Sequence, residues 1–318
     1  MLQNFQGISI ANSIPDNINV TSFKEGDILI SNIRPYLKKV WQADRNGGCS
    51  ADVFVLKANN TICSDCFLHY LIANDTFINF VMSGAKGVKM PRGDKKQMVT
   101  YNMGIPHIKE QNKISRLLDL LNKRIVTQNK IIEQLQSLIR GIRACLFSFD
   151  NYNIKYLVEL CSITTGKLDA NAMVENGKYP FFTCAEETFR IDEYAFDTEA
   201  LLISGNGANL GYIHYYNGKF NAYQRTYVLD KFSVEVMYLK YYLETFLNKR
   251  INQEVNVGNT PYIVLSTLTK MKIKIPDILI QQRIITTMKS LEEKLLNENL
   301  ALRKYEEQKK FLLSNMFI

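Results

Sequence analysis

Residues 105–147 read IPHIKEQNKISRLLDLLNKRIVTQNKIIEQLQSLIRGIRACLF, and residues 275–317 read IPDILIQQRIITTMKSLEEKLLNENLALRKYEEQKKFLLSNMF. The two stretches align without a gap. Ile105-Pro106 falls on Ile275-Pro276, Gln111 on Gln281, Asn129 on Asn299 and Phe147 on Phe317. A match of this length marks a duplicated module rather than the short period of a solenoid. Proline lacks a backbone donor and disfavours helix in the residue before it, so each Ile-Pro predicts a strand-to-helix break. Each stretch then predicts one helix of about 40 residues, a rod of roughly 60 Å. Gly141 costs the first helix about 1 kcal/mol, which a long seam absorbs.

Read in heptads, the first helix has a seam of Leu118, Ile125, Ile132, Ile139 and Leu146 beside Ile114, Leu121, Gln128, Leu135 and Ile142. The second has Met288, Leu295, Leu302, Lys309 and Met316 beside Ile284, Leu291, Glu298, Tyr305 and Leu312. This is a sustained coiled-coil pattern. The simplest packing is antiparallel within one chain; an intermolecular coiled coil is the alternative. Gln128 and Glu298 occupy equivalent seam positions. Either they fix register at a cost in packing, or they are tolerated close to water.

The segments before the helices repeat more loosely. Phe23-Lys24-Glu25-Gly26-Asp27-Ile28-Leu29-Ile30-Ser31 parallels Phe196-Asp197-Thr198-Glu199-Ala200-Leu201-Leu202-Ile203-Ser204. Val53–Leu56 parallels Thr226-Tyr227-Val228-Leu229, and all four runs have strand composition. Phe67-Leu68-His69-Tyr70-Leu71 parallels Tyr238-Leu239-Lys240-Tyr241-Tyr242 as a short helix, and Met90-Pro91 parallels Thr260-Pro261. The expected fold is α+β: two mixed domains separated by two long helices packed as an antiparallel coiled coil. The expected boundaries are 1–104, 105–147, 148–274 and 275–318. The copies are unequal: by the match Met1 falls near Val174, so residues 152–173 have no counterpart in the first copy.

The chain has 318 residues, a net charge of +8 and 46 % hydrophobic residues, which suits a globular protein with an anionic partner, nucleic acid before membrane. No apolar run has the length of a membrane span and no basic-then-apolar start marks a secretory signal, so a cytoplasmic location is expected. Cys63-Ser-Asp-Cys66 has the spacing of half a zinc site, but a second ligand pair is not evident and three His residues exist in all. No metal is expected, and the cysteines are expected reduced. No phosphate-binding loop with its Lys is found. Asn32-Ile33-Arg34-Pro35-Tyr36 is only superficially like an amino-methyltransferase loop, and no Gly-rich cofactor loop accompanies it. No catalytic residue is assigned, and the chain is expected to be non-catalytic and to hold no cofactor.

Candidate DNA contacts follow from chemistry. Lys86, Lys89, Arg92, Lys95 and Lys96 crowd one Gly/Pro loop, with Asp94 the sole offset, as a phosphate clamp or a solvated basic loop. Arg34 and Lys38 follow the Ile28–Ser31 strand. Asn206, Asn209, Tyr223, Gln224 and Arg225 flank strand ends in the second copy. Arg suits guanine, and Asn or Gln suits adenine, in the major groove; the same residues also stabilise turns. Lys249 and Arg250 contact phosphate or simply finish a helix.

The order of globular part, Ile-Pro helix, globular part and second such helix resembles the specificity (S) subunit of type I restriction-modification systems over essentially the whole chain. Ile105-Pro106 to Gln111, Ile131-Ile132-Glu133-Gln134-Leu135 and their copies carry the resemblance. So do residues 26–31, Gly87-Val88-Lys89-Met90-Pro91-Arg92-Gly93 and residues 204–211. The resemblance implies a DNA reader with two target recognition domains, each taking half of a split site on double-stranded DNA. It implies that the helices set the spacing and dock modification (M) and restriction (R) subunits. S-adenosylmethionine, ATP and Mg would then belong to those partners, which methylate adenine and cleave DNA. Family members open with a segment like 152–167, so the first copy departs from the pattern. An upstream fragment, a shuffled locus or a misplaced start would each explain this. The competing expectation is a scaffold that reads one half-site and dimerises or needs a separate N-terminal fragment.

Overall fold

The computed structural model describes residues 1–10, 20–254 and 262–317. The Thr260-Pro261 match lies outside them. The chain divides into two compact units: unit 1, residues 1–132 with 298–318, and unit 2, residues 133–297. Unit 1 contains strands β1 (Thr21–Phe23), β2 (Ile28–Ser31), β3 (Val40–Gln42), β4 (Gly47–Cys49) and β5 (Val53–Leu56). Helices α1 (Asp65–Ile72), α2 (Asp75–Ser83) and α3 (Lys95–Met98) follow, then the long helix α4 (Ile108–Leu146), whose last turns from Glu133 belong to unit 2. Unit 2 adds β6 (Asn153–Tyr156), β7 (Ser162–Thr165), β8 (Tyr179–Phe182), β9 (Phe189–Ile191), β10 (Phe196–Ser204), β11 (Ile213–Ala222) and β12 (Thr226–Asp230). Helices α5 (Val236–Glu254) and α6 (Leu265–Thr269), strand β13 (Lys272–Ile275) and the first turns of α7 (Ile278–Met316) complete it.

Both units are built on one antiparallel frame. In unit 1 it is β3-β2-β5; in unit 2 its counterpart β11-β10-β12 lies within the sheet β7-β12-β10-β11-β8-β9, where β8 joins β11 in parallel. Ile28 faces Leu56 and Ser31 faces Val53, as Leu201 faces Leu229 and Ser204 faces Thr226. Ile30 faces Val40 as Ile203 faces Ile213. Phe23 faces Gly47 as Phe196 faces Phe220, so β1 and β4 continue the β2–β3 hairpin, bridged by Gly26 and Ala43. A one-residue slip would turn every apolar side chain to the wrong face, so the matching registers define the same fold. The helices after the frame differ. Unit 1 breaks at Asn74, whose carboxamide caps α2 and donates to the Leu313 carbonyl, whereas α5 runs unbroken for 19 residues, longer than the short helix expected.

α4 and α7 are 39 residues each and begin after the Ile-Pro pairs. The Gln that follows ties down each start. Gln111 is fully buried and donates to the Pro106 and Ile62 carbonyls while accepting from the Ser64 N–H. Gln281 donates to the Pro276 carbonyl. Burial recurs along α4 at Gln111, Leu118, Gln128, Leu135 and Ile139, on the heptad seam.

Within unit 1 the two helices run antiparallel. Leu118 packs in a core with Phe317 and Met316, Arg124 lies over the Tyr305 ring, and Gln128 donates to the Glu298 carboxylate at 2.6 Å. The equivalent polar residues of the two copies therefore meet each other, which satisfies both in the seam. Within unit 2, Leu135 and Ile139 share a core with Ile284 and Met288, and Leu291 and Leu295 pack at its edge. On the second helix Leu291, Leu295, Leu302 and Tyr305 are only half-buried.

The helix ends seal the cores. Phe317 packs on Phe67 in unit 1, and Phe147 sits among Tyr238, Tyr242 and Phe246 in unit 2. Burying a side chain such as Leu118 contributes about 2 kcal/mol. Cys63 is buried and Cys66 lies in the first turn of α1, where burial raises both thiols.

Candidate nucleic-acid interface

In each unit the loops at one end of the frame are held by the same backbone hydrogen bonds. The Ser31 N–H donates to the Lys39 carbonyl as the Ser204 N–H donates to Tyr212. Asn32 donates to Asp52 as Gly205 donates to Arg225. Gly93 donates to Asn32 as Ile263 donates to Gly205, and the Ile33–Arg92 bridge has its counterpart in Asn206–Tyr262. One scaffold thus brings together, in each unit, the hairpin loop after the first long strand, the turn before the next, and the segment before α3 or α6.

The hairpin loop turns through two left-handed residues. In unit 2 these are Gly207 and Gly211, with φ of 82° and 80°. In unit 1 the same places hold Arg34 and Lys38, with φ of 51° and 53°. A left-handed conformation costs a residue with a Cβ about 1 kcal/mol, so unit 1 carries strain where it displays cations. A side chain at Gly211 would also strike the Asn248 carboxamide at 2.6 Å, which places the last turns of α5 under this loop. Those turns carry Lys249, exposed, and Arg250, half-buried.

Unit 1 gathers Arg34, Lys86, Lys89 and Arg92. Paired backbone hydrogen bonds between Lys86 and Arg92, each 2.9 Å, close a tight loop, and the Arg34 N–H donates to the Pro91 carbonyl at 2.8 Å. Arg92 pairs with Asp52 at 3.0 Å and Lys86 with Asp94 at 3.1 Å. Both are solvent-exposed pairs, weakened by water and salt. Among the described residues Lys89, Lys95 and Lys96 have no carboxylate within ion-pair distance, with Lys95 and Lys96 exposed at the start of α3. Lys38 stands apart. Its ammonium binds Asp75 at 2.7 Å and lies over the Phe5 ring, so it braces the start of α2 rather than facing the loop cluster.

Unit 2 presents a more neutral surface. Gln224 and Arg225 are exposed in the tight turn closed by Thr226 N–H to Tyr223 O, and Tyr223 is half-buried. The Asn209 carboxamide donates to the Cys184 carbonyl at 3.4 Å, tying the hairpin loop to the segment after β8. The Gln224 N–H donates to Leu168, which adds the segment after β7 with exposed Lys167. Such an edge offers hydrogen-bond donors and acceptors of amide, phenol and guanidinium type, the groups that read base edges.

Val88 belongs to the Gly87–Gly93 motif but was assigned no contact from the sequence. It is fully exposed at the tip of the Lys86–Arg92 loop, between the cations, with Met90 half-exposed beside it. The fold also brings Asp52 and Lys167 to the loop edges of their units.

The comparisons with known proteins agree with this architecture. The family model for the type I restriction modification DNA specificity domain matches residues 2–137 and again 150–303. The chain belongs to that family. Over 140 residues it is 40 % identical to the type I restriction enzyme EcoDI specificity subunit of Escherichia coli, covering 43 % of this chain and 31 % of that protein. With the MjaVIII specificity subunit of Methanocaldococcus jannaschii it shares 22 % identity, over 85 % of this chain and 73 % of the relative. The crystal structure of the type I restriction-modification S subunit from M. genitalium has the same fold, with a TM-score of 0.64 and 18 % identity, covering 94 % of this chain and 84 % of that one. The helices match the long-helix expectation, and none of them is long and apolar enough to cross a membrane among the described residues.

Proposed function

We propose that the chain reads a bipartite double-stranded DNA target, one half-site for each unit, as the non-catalytic specificity subunit of a cytoplasmic type I restriction-modification complex. The observation that carries this is the shared loop frame. Both units hold their strand-end loops with the same hydrogen bonds yet fill them with different side chains, Arg34, Lys89 and Arg92 in one and Asn206, Gln224 and Arg225 in the other. A constant frame with variable side chains suits two readers of different half-sites. Arg34, Lys86, Lys89, Arg92 and Lys95 bind the backbone of one half-site, with Val88 at the groove. Gln224, Arg225, Asn206 and Tyr223 read base edges of the other, and Lys249 and Arg250 hold phosphate beside them. Asn209 shapes its loop. Lys38 acts on the fold instead of on DNA.

Modification and restriction subunits dock on α4 and α7. S-adenosylmethionine, ATP and Mg enter the complex through those partners. The test reconstitutes the chain with its cognate modification subunits and maps methylated adenines on genomic DNA. A single bipartite motif, with binding that weakens steeply with salt, is the expected result. Methylation with no motif, or with a motif unchanged by Gln224→Ala, would refute the reading.

A further inference from the structure

In unit 2 a short segment after the frame is pinned against its loops. The Ile263 N–H donates to the Gly205 carbonyl at 2.8 Å, and the Ile263 carbonyl accepts from the Tyr227 hydroxyl at 2.9 Å. Ile263 is 4 % exposed and packs in the unit 2 core. Neighbouring side chains of an extended segment point to opposite sides, so the inward Ile263 turns Tyr262 outward. Tyr262 bridges to Asn206 through its backbone, and its side chain is 58 % exposed. On its other side Gly205 donates to the Arg225 carbonyl at 2.9 Å. A Cβ at Gly205 would meet that carbonyl at 2.3 Å, so glycine is what lets the three segments close up. Tyr262 and Arg225 therefore flank one backbone position from opposite sides.

Unit 1 repeats this construction with different side chains. Gly93 donates to Asn32 where Ile263 donates to Gly205, and Asn32 donates to Asp52 where Gly205 donates to Arg225. The Ile33–Arg92 bridge stands for Asn206–Tyr262. Rung by rung, Tyr262 is the counterpart of Arg92, and Arg225 the counterpart of Asp52. In unit 1 the pair is a cation held by a carboxylate at 3.0 Å. In unit 2 it is a neutral phenol beside a guanidinium that, among the described residues, has no carboxylate within ion-pair distance.

We infer that Tyr262 is a specificity-determining residue of unit 2, its phenol touching a base edge of the half-site that this unit reads, an assignment that rests on the DNA reading proposed above. The exchange at equivalent positions favours a base edge over phosphate. Phosphate contact rewards positive charge, and unit 2 gives that charge up at the place where unit 1 keeps it. A phenol retains an apolar ring and a hydroxyl that both donates and accepts, the chemistry that meets bases in a groove. Its main chain is already fixed and its side chain has only two rotatable angles, so little freedom is lost on contact.

The test uses the chain reconstituted with its cognate modification subunits, with methylated adenines mapped on genomic DNA and binding followed against salt. Gln224→Ala marks the half-site that unit 2 reads. Tyr262→Ala should lower the preference for one base pair of that same half-site at least about fivefold, with the salt slope kept. Tyr262→Arg, which copies unit 1, should lose the same preference and steepen the salt slope by about 1. Thermal melts, which an exposed side chain should leave in place, check the fold of both variants. Weaker binding to all sequences with the motif intact would make Tyr262 a backbone contact and overturns the inference. A motif unchanged in both variants overturns it too, as does a change confined to the half-site that Gln224→Ala leaves alone; in these cases the DNA reading itself stands. If the wild-type complex methylates without any motif, the DNA reading falls and the role of Tyr262 falls with it.

Discussion

Unit 1 and unit 2 share a register and a loop frame, and they differ in what completes them. Unit 2 has six strands in one sheet, glycines at both left-handed turns and a segment that covers its outer edge. Unit 1 has a three-stranded frame, Arg34 and Lys38 at the same turns, and an edge left open among the described residues. Registers are conserved because shifting one would invert the core. Turn residues and edges vary because each is a local term of about 1 kcal/mol that packing elsewhere offsets.

The sharpest way to break the comparison is Leu157→Asp. This side chain is fully buried, and a carboxylate there should destabilise unit 2 by more than about 4 kcal/mol. Unit 1 lacks that segment and should be spared. Trp41, the single Trp of the chain, lies on β3 and reports unit 1 alone. Denaturation should show the Trp41 fluorescence transition unchanged while the rest of the circular dichroism signal is lost early. Loss of both together would mean that the units do not fold independently.

His69 offers a pH test specific to unit 1. Burial, with Lys309 nearby, lowers its pKa from 6.5 to about 4, against a smaller opposing influence of Asp119. The neutral ring is favoured in the folded state, so its stabilisation is present above pH 6.5 and is lost as pH falls from 6.5 to 4. Unfolding free energy followed by Trp41 should drop by up to about 3 kcal/mol over that window. In His69→Gln the drop should be largely absent.

DNA binding should divide along the same line. Gln224→Ala should cost about 1–3 kcal/mol of discrimination at one base of one half-site. Lys89→Ala should weaken binding to all sequences and reduce the salt slope by about 1. Motif mapping and a salt titration separate the two. If both variants behave alike, the base-edge role given to Gln224 and the phosphate role given to Lys89 are wrong.

The smallest effect concerns the turns. Gly207→Arg copies the unit 1 residue into a place with no atom near its Cβ and should cost about 1 kcal/mol, from backbone strain alone. Gly211→Lys should cost more, because Asn248 must also move. Thermal melts of the two variants rank these terms.

Much of this was legible in the chain. The heptad seam was visible because apolar residues recur at helical spacing, and Leu118, Leu135 and Ile139 are buried where it put them. Gln128 and Glu298 were visible as equivalent polar positions, but not as partners. That pairing follows from the antiparallel packing within unit 1. Lys38 shows the limit on the candidate interface. Its charge and its turn were legible, while the Asp75 that claims it lies on a different element.

The duplication, the two long helices and the strand runs of each copy were legible in the chain, because periodicity and repetition are properties of residues read in order. The folded chain adds which loops converge and that Asp75 claims Lys38. Those depend on residues far apart in the chain being brought within hydrogen-bonding distance, and spacing along the chain does not record that.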